Sequence, residues 1–416
     1  MDAKIEKLPT TIGPDGGPRL AQANGERIDI QPVVDWLKPI IEECQEEMDV
    51  TCRLPQRLVD AMFDAGIFAT MLPREVGGLE LHTIDYMDLS YELGRIDGTV
   101  AWIVNVQSGV LPLLAPDVMN ELREQAGGRW IPSGSHSAIG NARLVEGGYR
   151  FSGQWAFASG SPWATHLTAY AQVVDDDGEP VLEDGEPIFL DGVIPTAEVD
   201  HVGGWNPLGL RGSGSGRFAL DDVFVPERFT LPMAVPDDAY SDRPQFHALV
   251  ASQETGCVLG MAQGMIDAFA ELADPDDLNS RITIARTDAL LRAAKDWCWR
   301  ISEQMYDLAF ADEAVRYKPD VESWQACTHA GRVAKQIANE IFDAGGTNSV
   351  VVGRGIERRF RDVQTITQHE GFWEKTFKYV GQYRLTEHRP GGPRMDDHPL
   401  LGPPPGSEPA QAPTVV

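Results

Sequence analysis

The chain has 416 residues, 42% of them hydrophobic, enough to bury a large core spread over two or three structural domains. Its 63 acidic and 35 basic residues leave a formal net charge of -28, a field that repels nucleic acid and anionic membrane surfaces and excludes them as partners. No run reaches the ~18 consecutive apolar residues of a membrane span, the N-terminus has no signal-peptide core, and five cysteines without a C-x-x-C suggest neither a disulfide framework nor a metal site, so a cytoplasmic protein is expected.

Residues 1–25 are rich in Gly, Pro and polar side chains and read as a flexible arm. A helical domain is expected over 26–128, where Gln31 to Met48, Pro55 to Ala65 and Ile84 to Ile96 carry helical spacing around the breaker-rich stretch Pro73 to Gly78. A central β domain is expected over 129–230. There, His166 to Val174, Ile188 to Ile194 and Arg217 to Val225 read as strands, with turns at Asp177-Gly178 and Asp184-Gly185. Helical texture returns over 231–388. Leu291, Ala294, Cys298, Ile301, Met305 and Leu308 recur three and four residues apart, as do Cys327, Ala330, Ala334, Ile337 and Ile341, and two long packed helices would explain both series. A third long helix is expected from Thr365 to Leu385, and the Pro/Gly-rich tail 389–416 reads as unstructured or draped over the surface.

Several signatures are absent: there is no P-loop Gly-Lys, no H-E-x-x-H and no G-x-S-x-G. A G-x-G-x-x-A match at Gly214, Gly216 and Ala219 leads into an apparent strand, whereas a dinucleotide-binding turn must open a helix. Four stretches carry information. Gly153 to Thr165 sets Trp155, Phe157 and Trp163 around Ser159 and Gly160, and on composition alone is an aromatic strand and turn packed on a core. Gly203 to Pro226 is a Gly-rich loop followed by a strand. Gly345 and Gly346 suit a helix C-cap and offer backbone N–H groups to an anion. Finally, Arg358, Arg359 and Arg361 precede His369 and Glu370, which in isolation read as structural or solvated side chains.

Taken together, these stretches resemble the acyl-CoA dehydrogenase superfamily from about Gln56 to His388, including Asp64 to Gly78 and Ala101-Trp102. Two phrases resemble its flavin monooxygenase branch, which includes 4-hydroxyphenylacetate hydroxylase oxygenase components, dibenzothiophene monooxygenase and indole oxygenases. One is Gly153, Trp155, Phe157, Ser159 and Gly160; the other runs from Trp205 to Ser215. The resemblance implies an α+β, mainly α fold: a helical N-terminal domain, a central β-barrel domain and a C-terminal four-helix bundle, assembled as a homotetramer. It also implies that Trp155, Phe157 and Ser159 contact the isoalloxazine ring of a flavin, with Ser159 near N5. Gly345, Gly346 and Thr347 would help hold the phosphate-containing tail, with Arg281 or Arg286 doing likewise.

The resemblance leaves two chemistries open. A dehydrogenase needs a carboxylate base, and Glu370 stands at that position, eight residues after Asp362. A monooxygenase needs a dry pocket for a C4a-hydroperoxyflavin and a group acting on the substrate, for which His369 is the candidate. The two upstream phrases favour His369. Adjacent helical residues point about 100° apart, so both would not serve one pocket. The implied enzyme is a two-component monooxygenase using reduced FAD or FMN, FAD slightly preferred, with O2 and a separate NAD(P)H:flavin reductase to oxygenate a small aromatic substrate. Trp102, Asn105, Gln107, Trp163 and Phe372 are the candidate substrate residues. An acyl-CoA dehydrogenase or flavin oxidase with Glu370 as base, and a non-catalytic oligomeric homologue, are the alternatives.

Overall fold

The computed structural model describes residues 7–23, 25–107, 114–232, 243–247, 249–389, 392–395 and 404. In chain order it begins with a short hairpin, β1 (Thr11–Ile12) and β2 (Pro18–Arg19), then helices α1 (Gln31–Thr51), α2 (Gln56–Asp64), α3 (Thr83–Ile96), α4 (Gly98–Gln107) and α5 (Pro116–Gln125). The strands β3 (Pro132–Val145), β4 (Gly148–Ala158), β5 (His166–Val174), β6 (Leu182–Glu183), β7 (Glu186–Pro187), β8 (Phe189–Pro195), β9 (Asp200–Gly203), β10 (Gly216–Pro226) and β11 (Thr230–Pro232) follow. Helices α6 (Pro244–His247), α7 (Leu249–Leu272), α8 (Leu278–Asp307), α9 (Glu313–Gly345), α10 (Ile356–Ile366) and α11 (Lys375–Thr386) complete the chain.

Two compact units result. The first comprises residues 1–85 and 99–239, and the second 86–98 and 240–416. In the first unit, α1 starts with a proline in its first turn and buries Val33, Val34, Leu37, Ile41, Cys44 and Met48, a stripe at three- and four-residue spacing. Where the composition suggests a flexible arm, Arg19 of the hairpin donates to the carbonyls of Phe63 and Asp64, and Leu20 and Ala23 are buried. A few apolar side chains and one long arginine suffice to order a segment that lacks periodicity. The β domain is a seven-stranded mixed sheet ordered β11-β8-β5-β3-β4-β10-β9, antiparallel except for β3 beside β5. Its core holds Phe151, Trp155 and Phe218, with the Trp155 and Phe218 rings stacked 5.0 Å apart.

The second unit is a bundle of α7, α8, α9 and α10, with α11 against α9. Asp277 caps α8 by accepting from the Ser280 amide at 2.7 Å. Gly256, Gly260 and Gly264 lie one turn apart on α7. A Cβ at each would fall 2.7, 2.2 and 2.6 Å from the carbonyl oxygens of Met87, Tyr91 and Arg95, so the glycines let α7 and α3 approach backbone to backbone. The Arg358–Asp97 pair, at 2.9 Å and almost wholly buried, ties α10 to the end of α3. The expected single helix from Thr365 to Leu385 is instead two: α10 stops at Ile366, an extended His369 (φ -65, ψ 146) leads into a short 3-10 turn at Glu370–Phe372, and α11 starts at Lys375. The break has a packing cause, described next. Most of the Pro/Gly-rich tail lies outside the described residues.

Candidate active site

Candidate site residues gather in two clusters, one in each unit. In the first unit the penultimate residue of β4 is left-handed: Phe157 has φ 58 and is 65% exposed. Strand alternation would put Phe157 on the same face as Trp155, and the positive φ turns it out of the core instead. The ring meets Trp205 edge-on at 6.1 Å. Next to it, Ser159 is buried. Its Oγ accepts from Trp102 Nε1 at 3.1 Å and shares a 2.7 Å hydrogen bond with Ser215 Oγ, which is 2.7 Å from Ser213 Oγ. Ser133 Oγ donates to the Ser159 carbonyl at 2.6 Å. Gly160 has φ 82, and a Cβ there would lie 2.3 Å from Gln107 Nε2, so only glycine admits that amide. Gln107 in turn donates to Pro132 O at 2.8 Å and accepts from Trp163 Nε1 at 3.0 Å. Asn105 is buried, and its Oδ1 has no hydrogen-bond partner.

Of the aromatic candidates, Trp155 is wholly buried, stacked on Phe218 and donating to Tyr170 O at 2.9 Å. It is a core residue and offers no surface to a flavin, which corrects its assignment as a contact. Trp102 and Trp163 are buried and support Ser159 and Gln107 through their indole N–H groups. The rings with accessible surface are Phe157 and Trp205. Trp205 and Ser215 are members of the cluster that the sequence did not assign to the site, although they delimit the phrase from Trp205 to Ser215. Arg211 of that phrase anchors the loop, donating to Asp49 O at 2.7 Å and Pro207 O at 2.9 Å.

In the second unit His369 Nδ1 lies 2.9 Å from Glu254 Oε1 on α7. A Cβ on Gly371 would lie 1.8 Å from Glu254 Oε2, so a glycine here makes room for the carboxylate and the helix cannot run through. Cys327 Sγ on α9 is 3.6 Å from the Gly371 carbonyl, and Phe372 is buried against Gly331. Phe372 is therefore a packing ring of the bundle. The His369 environment is mixed: burial alone would lower its pKa, but the charge and hydrogen bond of Glu254 and the charge of Glu370 outweigh it and raise the pKa above 6.5. The Gly371 amide also donates to His369 Nδ1 at 3.4 Å, a longer and weaker contact than the one with Glu254. Glu254 Oε2 has no hydrogen-bond partner. Glu370 is exposed. Glu254 was missed in the sequence because it lies more than a hundred residues upstream in an unremarkable helix.

The remaining candidates also lie in the bundle. Gly345 ends α9, and Gly346 (φ 52) and Thr347 are exposed in the turn that follows. Arg281 pairs with Asp276 at 2.7 Å, and Arg286 with Glu340 at 2.8 Å, so both guanidinium groups are already engaged with carboxylates. No group of three His, Cys, Asp or Glu side chains among the described residues is arranged to hold a metal, and no described helix is long and apolar enough to cross a membrane.

Residues 31–125 match the acyl-CoA dehydrogenase N-terminal domain and residues 254–374 the acyl-CoA dehydrogenase C-terminal domain. The chain belongs to the acyl-CoA dehydrogenase superfamily. Its relatives include the indole-3-acetate monooxygenase of Acinetobacter baumannii, 23% identical over 81% of this chain and 89% of that protein. The oxygenase subunit HsaA, a flavin-dependent monooxygenase of Mycobacterium tuberculosis, is 27% identical over 81% of this chain and 90% of its own length. Among solved structures, XiaF from Streptomyces sp. in complex with FADH2 and glycerol superposes with a TM-score of 0.76 at 21% identity, covering 84% of this chain and 93% of XiaF.

Proposed function

We propose that the protein is the oxygenase component of a two-component flavin-dependent monooxygenase that oxygenates a small aromatic substrate. Relatives named as monooxygenases support this reading. The observation that carries it over the dehydrogenase alternative is the partition of the two acid–base candidates: His369 is half-buried and charge-paired with Glu254, whereas Glu370 is exposed. A carboxylate acting as base on a weakly acidic carbon gains from a desolvated site, and an exposed one lacks it.

The residues present fit a flavin. A planar tricyclic ring needs a flat apolar neighbour and a hydroxyl donor, and the out-turned Phe157 beside the buried Ser159 provides both. In the second unit, the Gly345, Gly346 and Thr347 turn, exposed at Gly346 and Thr347, suits a phosphate group. When bound in reduced form, the flavin supplies the electrons by which one oxygen atom of O2 enters the substrate and the other leaves as water. Trp102 and Ser215 fix the Ser159 hydroxyl from two sides, so its orientation toward a bound ring would be set in advance. Glu254 orients the His369 ring and keeps a proton on Nδ1, which directs proton exchange with substrate to Nε2. A raised pKa makes His369 a proton donor near neutrality. A separate reductase supplies the reduced flavin, FAD slightly preferred over FMN, and the assembly is a homotetramer in the cytoplasm.

Protein supplied anaerobically with FADH2 or FMNH2, then with 18O-labelled O2 and a panel of phenols and indoles, is expected to give a product carrying one labelled oxygen. His369→Gln should lose product while Glu370→Gln retains it. Tight binding of oxidised FAD that is bleached by an acyl-CoA, and abolished in Glu370→Gln, would overturn this reading in favour of a dehydrogenase.

A further inference from the structure

A cavity of about 40 Å³ lies in the first unit, lined by Arg19, Arg123, Phe63, Phe68, Leu72 and Trp130, none of them a candidate flavin or substrate residue. At roughly 10–15 Å³ per water it holds about three, the heavy-atom count of a carboxylate group. The guanidinium of Arg123, in the last turn of α5, has no hydrogen-bonding or ionic partner among the described residues, and its Nε is buried. Arg19 donates to two backbone carbonyls and pairs with no carboxylate within 4 Å among the described residues; the Asp64 charge reaches it only at longer range.

In a chain of net charge -28, two guanidinium groups on one cavity without a carboxylate call for an anion. The neighbouring Arg129 shows what an ordinary arginine here does, pairing with Asp60 at 2.5 Å while lying over the Phe63 ring. Two further features belong to a built site. Trp130 is 3% exposed and its Nε1 has no hydrogen-bond partner, although its ring is held against His166 at 4.8 Å. Gly77 has φ 75, and a Cβ there would sit 2.7 Å from Arg123 Nη1, so the glycine provides the guanidinium's seat. Arg123 and Gly128 also line an outer depression with Asn120, Glu124 and Gly127. Gly127 and Gly128 have open space where a Cβ would point, leaving room for a ligand body, and the Glu124 carboxylate on this rim disfavours a dianion.

We propose that this cavity binds the carboxylate of a small organic acid, with Arg123 as its principal partner, Arg19 as a second charge and the Trp130 indole N–H as a third donor. The apolar lining of Phe63, Phe68 and Leu72 excludes water and strengthens the pairing. The site is independent of the flavin reading. It is tested by titrating the full-length chain with propionate, followed by saturation-transfer NMR, beside parallel titrations with chloride and inorganic phosphate. Saturable propionate binding, weakened at least tenfold in Arg123→Met and partly retained in Arg123→Lys, is expected. Gly77→Ala, whose methyl group displaces the guanidinium, should weaken it as well and serves as the second variant if Arg123→Met does not fold by circular dichroism. No saturable binding, equal binding by the Arg123 and Gly77 variants, or Arg123-dependent binding of phosphate or chloride but not propionate would each overturn the assignment.

Discussion

The ion pair of His369 with Glu254 yields the sharpest prediction. At 2.9 Å and an effective dielectric of 20, two unit charges attract by about 6 kcal/mol, but the imidazole is 38% exposed and both groups lose hydration on pairing. Screening and desolvation leave a net coupling of about 1–2 kcal/mol, the range of a charge-assisted hydrogen bond that is partly open to solvent. Glu254→Gln keeps the side-chain size and removes the charge. The sign follows from linkage: the pair raises the folded-state pKa of His369, so its contribution to stability is complete below about pH 6.5 and is lost as pH rises through the raised value. A double-mutant cycle of Glu254→Gln and His369→Gln, measured by denaturant unfolding, should therefore show the coupling at mildly acid pH and its disappearance in alkali. NMR titration of the His369 ring, assigned among nine histidines by difference with His369→Gln, should move to lower pH in Glu254→Gln, because burial then acts against a weaker opposing charge. An unchanged or upward-moving titration, or a coupling that grows with pH, would refute the pairing as the cause.

Three further outcomes are expected. Gly371→Ala places a methyl carbon 1.8 Å from Glu254 Oε2 and must displace that carboxylate, so the His369 titration should fall as in Glu254→Gln, with a stability loss of about 1–3 kcal/mol from overpacking, measured by urea unfolding. Phe157→Gly relieves a left-handed backbone and removes the side chain of a residue that is already 65% exposed, so thermal stability should hold or rise by about 1 kcal/mol while reduced-flavin affinity falls roughly tenfold in equilibrium titration. His166, held near pKa 4 by burial, stays neutral when folded while its unfolded form takes up a proton below about 6.5; its contribution is thus lost as pH falls from 6.5 toward 4, and His166→Phe should flatten the pH dependence of unfolding in that window, by up to about 3 kcal/mol.

Strand and helix periods were legible wherever one face is buried. His166 to Val174 was delimited by its apolar run and flanking turns, and the long helices by their three- and four-residue spacing. What escaped reading depends on groups far apart in the chain. The α7 glycines at 256, 260 and 264 look unfavourable for a helix until the α3 carbonyls they admit are known. Trp155 carries the same apolar signal as Phe157, and a single positive φ decides that one is core and the other is surface. The hydroxyl partners of Ser159 and the carboxylate partner of His369 come from other strands and helices, which local pattern does not report.

The break between α10 and α11 is what separates the two chemistries that adjacency left open. On a continuous helix His369 and Glu370 would differ only by the 100° step, and either would reach an inward-facing site with a small rotation of the helix. With His369 extended and Glu370 opening a 3-10 turn, rotation no longer exchanges them. Glu254 holds the first, Cys327 reaches the carbonyl of the following glycine, and Phe372 packs on Gly331, so the turn is pinned at three points around Glu370 while Glu370 itself stays in solvent. Moving Glu370 inward would mean undoing these contacts together. A carboxylate base at position 370 would therefore need a different backbone from the one described, which supports the proposal that the imidazole carries the proton chemistry.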